Sequence, residues 1–79
     1  MSRVKIDRVD REIFASIFRA RRPLSIRQLV YRIGYSWATI NRHVSKLEGV
    51  GILEVRRTVR RSWVSIERSY WNKLKRMGY

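Results

Sequence analysis

Ser36, Thr39, Asn41, Arg42, Ser45 and Lys46 set hydroxyls, an amide, a guanidinium and an ammonium along one short stretch, with no acidic residue before Glu48. At a helical pitch of about 100° per residue, Ala38, Thr39, Arg42, Ser45 and Lys46 share one side. Asn41 and His43 flank that side, and Ile40, Val44 and Leu47 lie opposite. A helix divided this way buries one face and offers the other to a ligand. Base edges in a DNA major groove present donors, acceptors and the thymine methyl. Thr39, Asn41, Arg42 and Lys46 answer the donors and acceptors, and Ala38 is small enough to sit against the methyl. Ser36 and the free amides after it suit a phosphate, which the helix dipole attracts. The competing reading is a solvated face, but such a face is ordinarily mixed in sign.

Arg56, Arg57, Arg60 and Arg61 are the second group. Four guanidiniums so close together suit phosphates or the electronegative minor groove. Charge on an edge hairpin also keeps it soluble, though four arginines exceed that need. Two readings stay open for Trp37: packing against the preceding helix, or contact with sugar and phosphate. Two also stay open for His43, a hydrogen bond to a DNA backbone or a place at the helix edge. A metal site at His43 is not expected, because no second ligand of the right type is near it in sequence. Arg3 and Lys5 form a basic arm that either follows a nucleic-acid backbone or frays.

The elements that must position these groups are legible. Asp7 and Asp10 make an N-terminal capping pair for a helix over residues 8–21, closed by Pro23. Its apolar stripe is Val9, Ile13, Ile17 and Ala20, widened by Phe14 and Phe18. Ser25 and Gln28 form a capping box for a second helix, with Ile26, Leu29, Val30 and Ile33 as its core face. Gly34 fits the left-handed position that ends it. Tyr35 and Ser36 make the turn into a third helix over residues 37–48. Strands are expected over residues 52–58 and 62–67, where Leu53, Val55, Val64 and Ile66 alternate with polar residues. The tip near Val59 and Arg60 lacks Gly or Asn, so its turn type stays open. A fourth helix starts at Ser69, and Tyr70, Trp71, Leu74 and Met77 form its apolar side. Those four exceed what a lone exposed helix needs, so part should pack on the first helix and part should form a dimer interface.

The expected fold is mainly α with a β-hairpin: three helices, two strands, then a fourth helix. That order is a winged helix-turn-helix, with all of residues 1–79 in one domain.

Composition agrees. Nineteen Lys and Arg face six Asp and Glu, a formal net charge of +13 on 79 residues. Self-repulsion on that scale needs a reason, and binding a nucleic acid is the usual one, with an anionic membrane surface or an acidic protein partner as the alternatives. The hydrophobic content of 44% is that of a folded chain. With no cysteine there is neither a disulfide framework nor a thiolate metal site. The acids are scattered, no Ser/His/Asp grouping occurs, and no Gly-rich phosphate loop exists, so no catalytic residues, enzyme activity or cofactor are expected. No small-molecule ligand is evident. Without a secretory h-region or a membrane-length apolar run, an intracellular, cytoplasmic place is expected.

The segment from Lys5 to Glu54 is similar to the DNA-binding half of Lrp/AsnC-type regulators and resembles ArsR- and MarR-type winged helices. Ile6-Asp7 and Asp10, Arg22 to Ser25, Gly34-Tyr35-Ser36, Thr39-Ile40, His43-Val44 and Leu47-Glu48 followed by Gly51-Ile52 carry the likeness. It implies sequence-specific binding of double-stranded DNA by the third helix and the wing, in a homodimeric transcriptional regulator. The effector domain of Lrp-type proteins and the metal-sensing cysteines of ArsR-type proteins are not represented. Small stand-alone proteins of this kind occur in archaea, their viruses and plasmids, which would place a viral one in the host cytoplasm. The alternatives are an architectural protein that coats duplexes with little sequence preference, and an RNA-binding or protein-recruiting winged helix.

Overall fold

The computed structural model describes residues 5–78, so Arg3 of the basic arm lies outside the described residues. The order is α1 (Arg8–Ala20), β1 (Leu24–Ser25), α2 (Ile26–Ile33), α3 (Trp37–Gly49), β2 (Leu53–Arg57), β3 (Ser62–Ile66) and α4 (Arg68–Arg76). Four helices and a small antiparallel sheet make a winged helix-turn-helix.

Each expected cap forms. The Asp7 carboxylate accepts from the Asp10 amide at 3.0 Å, and the Asp10 carboxylate accepts from the Asp7 amide at 3.0 Å. Ser25 and Gln28 reciprocate in the same way at the start of α2. Gly34 closes α2 at φ 94°, where a Cβ would be strained. Arg21 ends α1 in the left-handed region at φ 54°.

The sequence reading missed β1. Two residues are too few for a periodic signal, and Leu24–Ser25 becomes a strand only by pairing with β3. The sheet is therefore three-stranded, in the order β1-β3-β2. The fourth helix starts at Arg68, not Ser69, and Glu67 is its N-cap instead of a strand residue. The Glu67 carboxylate accepts from the Ser69 amide at 2.9 Å and from the Ser69 hydroxyl, satisfying a free donor of the first turn.

Thr58 resolves the hairpin tip. Its amide donates to the Arg61 carbonyl at 2.8 Å, and its hydroxyl accepts from the Arg61 amide at 3.2 Å. The hydroxyl stands in for a backbone partner, so the tip closes with Arg21 as the only non-glycine at positive φ among the described residues.

One core joins all layers. Ile13, Phe14, Ile17 and Phe18 of α1 meet Leu29 of α2, Ile40, Val44 and Leu47 of α3, and Leu53, Val64 and Ile66 of the sheet. Each such side chain, fully buried, contributes about 1.5–3 kcal/mol relative to exposure. Leu74 of α4 belongs to this core and is fully buried. Tyr70 and Trp71 lie against α1, their rings 5.3 Å from Phe14 and 4.5 Å from Phe18. The expectation of a dimer surface is therefore corrected at Leu74. Phe14 and Phe18 widen the stripe of α1 enough to take most of the apolar side of α4. Met77 alone of the four is exposed.

Candidate nucleic-acid interface

The α2–turn–α3 unit and the hairpin β2–β3 hold the two basic groups. Ser36 is the N-cap of α3, and its hydroxyl is tied to both the amide and the hydroxyl of Thr39. Ser36, Trp37, Ala38, Arg42 and Ser45 are exposed, and Thr39 and Asn41 are half-buried. Ile40, Val44 and Leu47 are buried as the helical spacing requires. Trp37 is 58% exposed, which excludes it from the core.

A cleft of about 360 Å³ lies between the start of α2, Trp37 and the hairpin tip. Arg27, Arg60 and Arg61 line it with Trp37 and Ser25. Sequence reasoning missed Arg27. Its position two residues after the Ser25 cap was the available signal, since a cation there stands beside free helix amides. Beyond capping Ser25 and the backbone, the cleft holds three guanidiniums and no carboxylate, so its chemistry is that of an anion groove.

Four expected contact residues are placed differently. His43 and Lys46 turn toward the start of α1 instead of outward. His43 Nδ1 lies 2.8 Å from Asp10 Oδ1, and Lys46 Nζ lies 2.7 Å from Asp10 Oδ2. Asp10 is fully buried. A buried carboxylate requires such partners, and no spacing within α3 announces one that comes from α1. Arg57 donates twice to Glu48 at the end of α3, at 2.9 and 3.0 Å. Those bonds hold the Glu48 carboxyl below its ordinary range and raise the Arg57 guanidinium above its own. Arg57 thus anchors the wing to α3 and is not a bare cation near the tip. Arg56, one residue earlier, faces the other side of the sheet beside its cross-strand partner Trp63.

The premise that His43 has no ligand-type neighbour is also corrected. Asp7 and Asp10 bring ligand-type atoms to within 4.8 Å of one another and of His43. The Lys46 ammonium supplies a counter-charge on Asp10, so the group reads as a clasp between α1 and α3.

A winged helix that exposes a polar, basic α3 beside an arginine-lined cleft defines a nucleic-acid-binding protein. The chain belongs to the winged helix-turn-helix DNA-binding family, whose sequence profile matches residues 6–54. The match stops inside β2, before the tip and β3. Among solved structures, the chain is similar to a candidate DNA-binding protein from Ralstonia eutropha. The TM-score is 0.80 at 16% identity, over 95% of this chain and 100% of that one. A variant of ZitR from Lactococcus lactis gives 0.79 at 15% identity, over 98% of this chain and 53% of that one. An ArsR family transcriptional regulator gives 0.70 at 17% identity, over 90% and 71%. At these identities the likeness is one of fold. No curated protein matches the sequence significantly. No helix among the described residues is long and apolar enough to cross a membrane.

Proposed function

We propose that residues 1–79 act as one sequence-specific, duplex-DNA-binding regulator of transcription inside the cell. The exposed outer face of α3 enters the major groove, with Ala38, Thr39, Asn41 and Arg42 at base edges. Arg27, Arg60 and Arg61 in the cleft beside Trp37 take the phosphate backbone or the minor groove. The observation that carries this reading is a cleft whose charged side chains are all arginines, placed next to the N-terminus of an acid-free helix face. A homodimer belongs to the proposal, through Met77 and the half-buried rings of Tyr70 and Trp71 instead of Leu74.

A second reading, architectural coating of DNA, is favoured by another groove. Arg8, Arg11, Arg19 and Arg32 line it with Glu12, the partner of Arg8, and no residue of α3 does, so cationic surface extends beyond a single reading head.

Arg42→Ala separates the two. If Arg42 reads a base, the substitution costs about 1–3 kcal/mol on the selected sequence and little on a scrambled duplex. Fluorescence anisotropy on both duplexes measures this. Equal losses on the two would assign Arg42 to phosphate and favour coating.

A further inference from the structure

The register of the sheet divides its residues into two sets. Leu53, Val55, Val64 and Ile66 lie on one face, three of them buried against the helices. Glu54, Arg56, Trp63 and Ser65 lie on the other. That outer face carries a depression of about 660 Å³ lined by Arg22, Pro23, Glu54, Val55, Arg56, Trp63 and Ser65. Arg61, whose guanidinium stands 5.8 Å from the Trp63 ring centroid, belongs to the other cleft. No residue of α3 lines the depression, and the Arg61–Trp63 contact is where it adjoins the duplex cleft.

Its chemistry is specific. The Trp63 indole sits on the central strand, and the Pro23 ring lines the depression beside it. Arg22 and Arg56 are exposed at its rim, and Glu54 is the one carboxylate. An aromatic ring between guanidiniums suits a base stacked on the ring with its phosphates on the cations. The volume falls in the ordinary range of about 300–1,000 Å³ for ligand sites. Glu54 would repel a phosphate, but as a pure acceptor it matches an exocyclic amino group on a base whose pairing edge is free. A second copy of this chain fits poorly, because symmetric contact would bring arginines together on a molecule of net charge +13.

We infer that the outer face of the sheet is a binding site for single-stranded DNA, in which an unpaired base stacks on Trp63, Arg22 and Arg56 hold the strand's phosphates, and Glu54 accepts from the base's amino group. The site does not use α3, and Arg61 is the group through which it touches the duplex cleft.

The test is equilibrium binding of the full chain to three probes, a short deoxycytidine strand, a DNA duplex and inorganic polyphosphate, with a thymidine strand added for one variant. Trp63→Leu should weaken the deoxycytidine strand by about 5- to 150-fold, the range for loss of one base–aromatic stack, and the duplex and polyphosphate by much less, since there it removes only the ring under Arg61. Trp63→Phe should recover most of that loss. Arg56→Gln, which leaves the indole in place, should weaken the same strand several-fold. Glu54→Gln should bring the affinities for deoxycytidine and thymidine strands closer together, since thymine lacks the amino group. Equal losses on all three probes in Trp63→Leu, or an unchanged affinity for the deoxycytidine strand in both Trp63→Leu and Arg56→Gln, would overturn the site. Loss of duplex binding alone would bear on the proposed function and leave this site standing.

Discussion

At the scale of single residues, Asp10 does more than any other polar group here. It completes the cap of α1 through the Asp7 amide, and it accepts from Lys46 and lies against His43 of α3. Asp10→Ala removes a cap partner and leaves a cation and an imidazole facing an apolar side chain. Removing one partner of a buried pair costs about 3–5 kcal/mol. Lys46 is 37% exposed and can return to water, so the expected cost is nearer about 2–4 kcal/mol in urea unfolding. Duplex affinity should fall mainly through loss of folded protein. Asp7 adds a dependence on acid. The Asp10 amide first, and then His43 and Lys46, hold its carboxyl below the ordinary value of 3.8. A carboxyl whose folded pKa is depressed stabilises the fold fully above its unfolded pKa, and that contribution is lost as pH falls through the folded value. The thermal midpoint should therefore drop below about pH 4, where carboxylates protonate. Asp7→Asn keeps a capping side chain without the charge, and the acid slope should be shallower in that variant.

At the scale of elements, a bidentate pair adds to the backbone bond from Ile52 to Leu47 in tying the wing to α3. Glu48 lies one residue before the end of α3 and Arg57 ends β2. Arg57 is 60% exposed, so water screens the pair and its contribution to stability is small. Its larger effect is on charge, because Glu48 cancels a cation beside the proposed interface. Glu48→Gln should leave thermal stability nearly unchanged and strengthen duplex binding at low salt. If the freed guanidinium reaches one phosphate, the slope of log affinity against log salt steepens by about 0.9. An unchanged slope would mean that Arg57 stays out of reach of the backbone even when released.

At the scale of the whole molecule, the question is what covers the end of α4. Leu74 is in the core, and Tyr70 and Trp71 lie against Phe14 and Phe18. Met77, 59% exposed, is the apolar side chain of α4 that the helices leave outside. The proposed homodimer must then rest on Met77 with the outer parts of the two rings. Sedimentation at micromolar concentration should show a dimer that Met77→Glu converts to monomer without loss of the fold. A monomer at every concentration would remove the dimer and leave the winged helix intact. A dimer with α3 helices facing one DNA side would read half-sites spaced by about 34 Å.

The sequence alone determined the first three helices, the caps of α1 and α2 and the buried faces, because those depend on neighbours within four residues. Asp7 with Asp10, Ser25 with Gln28, and Gly34 are local signals with local causes. Ile40, Val44 and Leu47 are buried because their spacing fits the helical period, and that burial turns Ala38 and Arg42 outward. The tertiary structure decided what depends on distant partners. Only it brings Asp10 beside His43 and Lys46, Glu48 to Arg57, and Leu74 into the core. It alone makes a strand of Leu24–Ser25 and sets Arg27 in the cleft with Arg60 and Arg61. A charged side chain in a sequence carries no mark of whether an opposite charge will meet it. The cations of α3 and the wing were therefore legible as a group, while which of them stay free for an anion was fixed by where the six acids fold.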